Sequence, residues 1–260
     1  MDTVMIIVLA VAVLVLLIAL SMRRRKKVIT VPPLPQTFRN ILLSDVPFYS
    51  KLDEKKKQEF EYRLMHFLAT TRITGVKTDI EDIDKVYIAA SAIIPIFGFP
   101  GWEYINLKEI LLYPESFNHE FEQTGEDRNI LGIVGEGAYN NIMILSKHQL
   151  RQAFLNKSGK ENTAIHEFVH LIDKSDGYVD GVPELFVNRE YIKPWVQLIQ
   201  KEIQKILDNR SDINPYGVTN QAEFFAVVSE YFFERPELLK EKHPELYALL
   251  VEVFKQKPGN

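Results

Sequence analysis

The chain of 260 residues contains no cysteine. That excludes a disulfide framework and any thiolate zinc site, and it fits a reducing compartment without requiring one, since many exported domains also lack cysteine. A metal bound here must be held by histidine and carboxylate. Histidine is itself scarce, with 6 residues in the whole chain, so a patterned pair carries information. The net charge of −4 offers no broad basic footprint, and no nucleic-acid partner is expected. No internal repeat, phosphate-cradling glycine loop or Ser/His/Asp signature is present. What remains is ordinary globular material, 46% hydrophobic and 25% charged, enough to bury a core in one domain with additions.

The first addition is an unbroken apolar run from Val4 to Leu20, extended by Ser21 and Met22 and met by Arg23, Arg24, Arg25, Lys26 and Lys27. At helical rise this run is just long enough to cross a hydrocarbon layer about 30 Å thick. A cleavable signal would carry its cations before the apolar run; here Asp2 precedes it and the cations follow. Residues 1–22 therefore read as an uncleaved transmembrane anchor in a lipid bilayer. By the positive-inside rule everything after Arg23 faces the cytoplasm of a single-pass membrane protein. Residues 23–37 form a basic segment and a stiff linker through Val31-Pro-Pro-Leu-Pro35, and residues 38–260 form the globular domain.

Within that domain Asp53 can cap a helix running to about Thr70, with Phe60, Leu64, Phe67 and Leu68 as its apolar stripe. Residues 83–94 suggest a closely packed buried helix that ends at Pro95. Phe97 to Gly101 is a turn, Glu109 to Pro114 is β-like, Gly132 to Gly137 is turn-rich, and Asn141 to Ser146 reads as a second strand. Ser146 can cap a helix to about Asn156, and Asn162 a helix that stops near Ser175. Residues 177–188 are loop-like, and residues 189–210 mostly helical. Tyr216 and Gly217 lie in a loop, followed by helices over residues 221–233 and 244–256.

The helix after Asn162 carries Thr163-Ala-Ile-His166-Glu167-Phe-Val-His170-Leu-Ile-Asp173. Four residues apart on a helix, the rings of His166 and His170 leave one face and can grip one ion, while Glu167 stands beside that ion within reach of a water. Chance alone would place such a pattern in roughly one sequence in a hundred. A catalytic site needs a third protein ligand, and no third histidine follows at eleven-residue motif spacing. Glu223 is the candidate, an acid opening an apolar helix. Asn220-x-x-Glu223 also matches a capping box, in which the acid bonds a backbone N–H, and spacing alone does not choose between them. Asp173 and Glu230 can orient a ligand imidazole or can be surface or capping residues. His66, His119, His148 and His243 show no partner pattern. The strand at Asn141 to Ser146 can hold a peptide by strand addition or can be an ordinary buried strand.

The stretches HEFVHLID, DGYVDGVPEL and NPYGVTNQAEFFAVVSEYFFERPELL resemble the zinc metallopeptidases of the Mlc titration factor A type and, more remotely, the catalytic domain of anthrax lethal factor. The 53–70 helix, the Ile88-Ala-Ala-Ser-Ala segment and Leu111-Leu-Tyr-Pro114 extend the likeness over roughly residues 40 to 257. The resemblance implies Zn²⁺ on His166, His170 and Glu223, with Glu167 as general base and a catalytic role for Tyr216, seven residues before Glu223. It also implies an α+β fold of gluzincin type, helix-rich with a small sheet, and slow aminopeptidase-like cleavage of short peptides. The expected partner is a peptide or protein substrate. The rival reading is a membrane-tethered binding protein that captures a transcriptional regulator and keeps a weak or vestigial peptidase site. A structural zinc site would be closed, whereas this one has three ligands and a base, which favours the enzyme.

Overall fold

Side-chain caps set where several of the helices begin. The computed structural model describes residues 29–116, 132–134, 141–184 and 186–258. The apolar run and its cations lie outside those residues, as does His119, and among the described residues no helix is long and apolar enough to cross a membrane. Helix α1 (Gln36–Asp45) follows Pro35, and the short α2 (Pro47–Ser50) starts on a proline, where no N–H is needed. In α3 (Glu54–Thr70) Asp53 accepts a hydrogen bond from the Lys56 N–H at 2.9 Å, as expected. Strand β1 (Arg72–Gly75) leads to α4 (Asp82–Ile96), which opens with a reciprocal Glu81/Asp84 capping box.

Helix α4 does not stop before Pro95 but includes it. A proline so close to the end disturbs only the last turn, and Arg63 satisfies carbonyls left there, donating to Ile96 O at 2.8 Å and Phe97 O at 3.1 Å. Strands β2 (Glu109–Tyr113), β3 (Gly132–Val134) and β4 (Ile142–Ser146) complete a sheet of order β1-β2-β4-β3. The first three are parallel and β3 is antiparallel to β4, with Ile133 opposite Ile144. Two expectations change here. Residues 132–134, which looked turn-rich for their glycines, are a strand because β4 offers them a ladder, and pairing overrides local preference. Strand β4 has both sides paired, so it cannot receive a peptide; among the described residues the open edges are those of β1 and β3.

Ser146 caps α5 (Lys147–Leu155) and Asn162 caps α6 (Thr163–Asp173), whose end tightens into a 3₁₀ turn at Lys174–Asp176. Helix α7 (Arg189–Leu207) follows, then a 3₁₀ turn at Pro215–Val218, α8 (Gln221–Glu234), α9 (Pro236–Lys242) and α10 (Pro244–Phe254). Helices α4 and α8 are apolar nearly all round and are buried accordingly, with Phe224, Phe225 and Phe232 fully enclosed. Helix α6 packs against both, which holds it rigidly in the core. The fold is thus α+β, helix-rich with a small, mainly parallel sheet.

Candidate metal centre

Helix α6 divides its residues by face. Ile165, Phe168, Val169 and Ile172 are buried in the core, where Phe168 meets Phe67 edge-on at 5.8 Å between ring centroids. His166 and His170 leave the helix on the side of α8, their ring centroids 4.7 Å apart and planes 78° apart. Glu223, in the first turn of α8, places Oε2 at 2.9 Å from His166 Nε2 and Oε1 at 3.5 Å from His170 Nε2. The cap of α8 is Asn220, whose Oδ1 accepts from the Glu223 N–H at 2.9 Å. Asn220 thus supplies the cap, while the Glu223 carboxylate is directed to the imidazoles.

One atom from each of His166, His170 and Glu223 lies within 4.8 Å of the others. The two N···O separations, 2.9 and 3.5 Å, straddle the ~3.3 Å expected between ligands of a tetrahedral centre with bonds of about 2.0–2.2 Å. Charge points the same way. The carboxylates of Glu167, Glu223 and Glu230 surround two imidazoles, a field that favours added positive charge. Burial opposes charge on His166, but hydrogen bonds to Glu223 and Glu230 outweigh it and push its pKa to about 10. Burial likewise opposes charge on Glu223, yet the two histidines hold its carboxyl down at about 2. A donor set of two nitrogens and one oxygen in such a field fits a divalent cation.

The supporting contacts sit mainly on α8. Glu230 brings Oε1 to 2.7 Å from His166 Nδ1 while Oε2 accepts the backbone N–H of Asn162. Glu234, one turn on, accepts from Asn162 Nδ2 at 2.8 Å, and Asn162 Oδ1 in turn caps the Ile165 N–H at 3.1 Å. One face of α8 therefore fixes both the ring of His166 and the start of its helix. Asp173 behaves differently. Its Oδ2 accepts from the Gly181 N–H at 2.9 Å, while its Oδ1 and the Nδ1 of His170 are buried and unpartnered, so it makes no direct bond to the ring. Gly181 has φ +78°, and a Cβ there would run into the carbonyl of Gln221; its own carbonyl accepts from Trp195 Nε1 at 2.7 Å. That glycine ties the end of α6 to the start of α8 and to α7.

Glu167 is 6% exposed and follows His166 without joining the ligand set. Burial raises its pKa, against the pull of His166 and His170. Tyr216 lies in the 3₁₀ turn rather than an irregular loop, its N–H capped by Asn214 Oδ1 at 2.9 Å and its ring 6.0 Å from that of His166. Burial, then the charges of Glu223 and Glu167, raise its pKa, so the phenol keeps its proton as a donor.

His243, which showed no partner pattern in sequence, is buried between Glu202 Oε2 at 3.1 Å and Asp212 Oδ1 at 2.9 Å. Asp212 also accepts from Lys160, Lys242 and Tyr231, anchoring the segment that leads to Tyr216. Those partners are 31 and 41 residues from His243 and leave no local signal. Glu234 was missed for the same reason.

Comparison with known proteins points to a metal-dependent family. Residues 20–255 match the glucose-regulated metallo-peptidase M90 family. A Synechocystis protein, slr2042, is 30% identical over 247 residues, covering 90% of this chain and 89% of its own length. Mlc titration factor A of Pectobacterium atrosepticum is 28% identical over 228 residues, 82% of this chain and 84% of that protein. Its Escherichia coli counterpart is 26% identical over 231 residues, with the same two coverages of 82% and 84%. The chain belongs to the glucose-regulated metallo-peptidase M90 family, which implies a bound metal ion, and over most of its length it is similar to Mlc titration factor A.

Proposed function

We propose that the chain is a zinc-dependent peptidase with His166, His170 and Glu223 as ligands and Glu167 as general base. The observation that carries this reading is the buried Glu167 carboxylate beside, and outside, a three-ligand cluster. Three protein ligands leave a position for chemistry, as a structural site would not. Zinc held there supplies a Lewis acid that acidifies water and polarises a carbonyl. Glu167 takes the proton of the attacking water on its carboxylate and later gives it to the leaving amine, a contribution of roughly 10² to 10⁴-fold. Tyr216 donates its phenolic hydrogen to the carbonyl oxygen as negative charge develops, a contact worth a few kcal/mol in comparable sites. Glu230 holds the ring of His166 so that Nε2 faces Glu223.

Substrate lies by strand addition along the free edge of β3, the sheet edge that adjoins Glu167. Short peptides and an aminopeptidase-like mode follow from the family resemblance, as do a gluzincin-type fold and the remote likeness to lethal factor. Residues 1–22 anchor the chain in the membrane with the catalytic domain in the cytoplasm. A reporter fused after Asn260 that is active only outside the cell would overturn that orientation.

The decisive cellular experiment compares new peptide termini in cells carrying the intact chain or Glu167→Gln. Termini that vanish with the variant support the peptidase, and identical sets oppose it. One observation favours a second reading, a tethered protein that captures a transcriptional regulator: the relatives from two organisms are named for titration of Mlc. Capture retained by Glu167→Gln, with no peptide turnover by the wild type, would select that reading.

A further inference from the structure

Strand β3 packs against the metal helix, and Gly132 is where it comes up against Glu167. A methyl group built on Gly132 would lie 2.7 Å from Cγ, 2.8 Å from Oε1 and 3.0 Å from Cδ of Glu167. Carbon atoms in contact sit about 3.5–4.0 Å apart, so no side chain fits there without a shift. The backbone is not what asks for glycine. Among the described residues the glycines with positive φ are Gly101, Gly177 and Gly181, and Gly132, in an extended strand, is not one of them, so an L-residue can adopt its conformation. The demand is steric, and all three near atoms belong to Glu167.

The backbone of Glu167 has little freedom to give way, so any shift must come from its side chain or from the strand. Its helix start is pinned through Asn162, which is held by Glu230 and Glu234, and the next residue back, His166, is bonded to Glu230 and Glu223. Strand β3, by contrast, is an edge strand with only β4 as a partner among the described residues.

We propose that Gly132 is a positioning residue whose missing side chain lets the main chain of the edge strand close on Glu167 and hold its carboxylate in one place. The steric part concerns the two residues alone. Its catalytic consequence rests on the reading of Glu167 as the base. The same contact joins the strand that would hold a peptide to the group that would activate water, so a change at residue 132 misplaces one relative to the other.

The test is a double-mutant cycle in the purified full-length chain: Gly132→Ala, Glu167→Ala and both together, each melted in the presence of a metal chelator. Gly132→Ala alone should lower Tm by about 4–8 °C, as expected for overpacking a buried contact. In the Glu167→Ala background the same substitution should lower Tm by less than about 2 °C or raise it, because the atoms it strikes are gone and alanine suits a strand better than glycine. If Gly132→Ala fails to fold, folding of the double variant supports the proposal and failure of both overturns it. Equal Tm shifts in the two backgrounds overturn it whatever the activity. Turnover adds the second readout: zinc-loaded Gly132→Ala should lose kcat by about 10- to 100-fold with KM and zinc content within twofold of wild type. A clear Tm coupling with no peptide turnover by any of the four proteins would leave the contact standing and remove the peptidase reading instead.

Discussion

Glu230→Gln is the substitution whose effect can be worked most closely from the contacts. Both oxygens of Glu230 accept hydrogen bonds, Oε1 from His166 Nδ1 and Oε2 from the Asn162 N–H. A glutamine of the same shape has one acceptor and one donor. With its oxygen toward His166, its NH₂ faces the N–H of Asn162, donor against donor, at the cap of the metal helix. With its oxygen toward Asn162, its NH₂ requires a lone pair on Nδ1, which puts the ring proton on Nε2, the atom that faces Glu223. Either arrangement weakens the metal site. Partners of ligand histidines are typically worth 10- to 100-fold in metal affinity, or about 1.4–2.7 kcal/mol. An unpaired buried donor adds about 1–3 kcal/mol of lost fold stability. Competition against a chelating zinc indicator measures the first, and urea unfolding of the metal-free chain measures the second. Zinc affinity within twofold of wild type, in a folded Glu230→Gln protein, would refute the reasoning.

Glu223→Ala should strip zinc from the folded chain while costing little through the cap, because Asn220 keeps the capping bond; full zinc occupancy by metal analysis would end the ligand assignment. Tyr216→Phe should keep zinc and KM and lose kcat in peptide assays, as a contact made only in the transition state requires. Glu234 tests the electrostatics. Burial raises its pKa to about 7, partly offset by the Asn162 bond, from an ordinary 4.5. A raised carboxyl pKa contributes stability that is complete below about 4.5 and is lost as pH rises through about 7. Urea unfolding should therefore show wild type losing about 1–3 kcal/mol across that window and Glu234→Gln losing less, and parallel profiles would contradict the assignment.

What the sequence made legible was what is written locally. Caps at Asp53, Ser146 and Asn162 are side-chain bonds across three residues, and each is found as read; Asn220 also caps its helix, with the Glu223 carboxylate directed to the imidazoles. The pair His166 and His170 obeys helical geometry, so its convergence follows once the helix exists. Elements held by distant partners were harder. Strand β3 exists through its ladder with β4, and its glycine reads locally as a turn. The burial of His243 between Glu202 and Asp212 depends on how α7, α10 and the segment before Tyr216 meet. Glu230, seven residues after Glu223, bonds His166, whereas Asp173, seven residues after His166, turns to Gly181. Spacing placed both acids near the site; packing decided which one reached a ring.

The central claim is that a metal held by His166, His170 and Glu223 serves peptide hydrolysis with Glu167 as the base. It is tested most directly by loading wild type and Glu167→Gln with zinc and following cleavage of short peptides alongside metal analysis. The account predicts one zinc per chain in both proteins and a loss of turnover of roughly 10² to 10⁴-fold in the variant, since the near-isosteric amide keeps the shape of the site but cannot accept the proton. Wild-type-like turnover by zinc-loaded Glu167→Gln would contradict it.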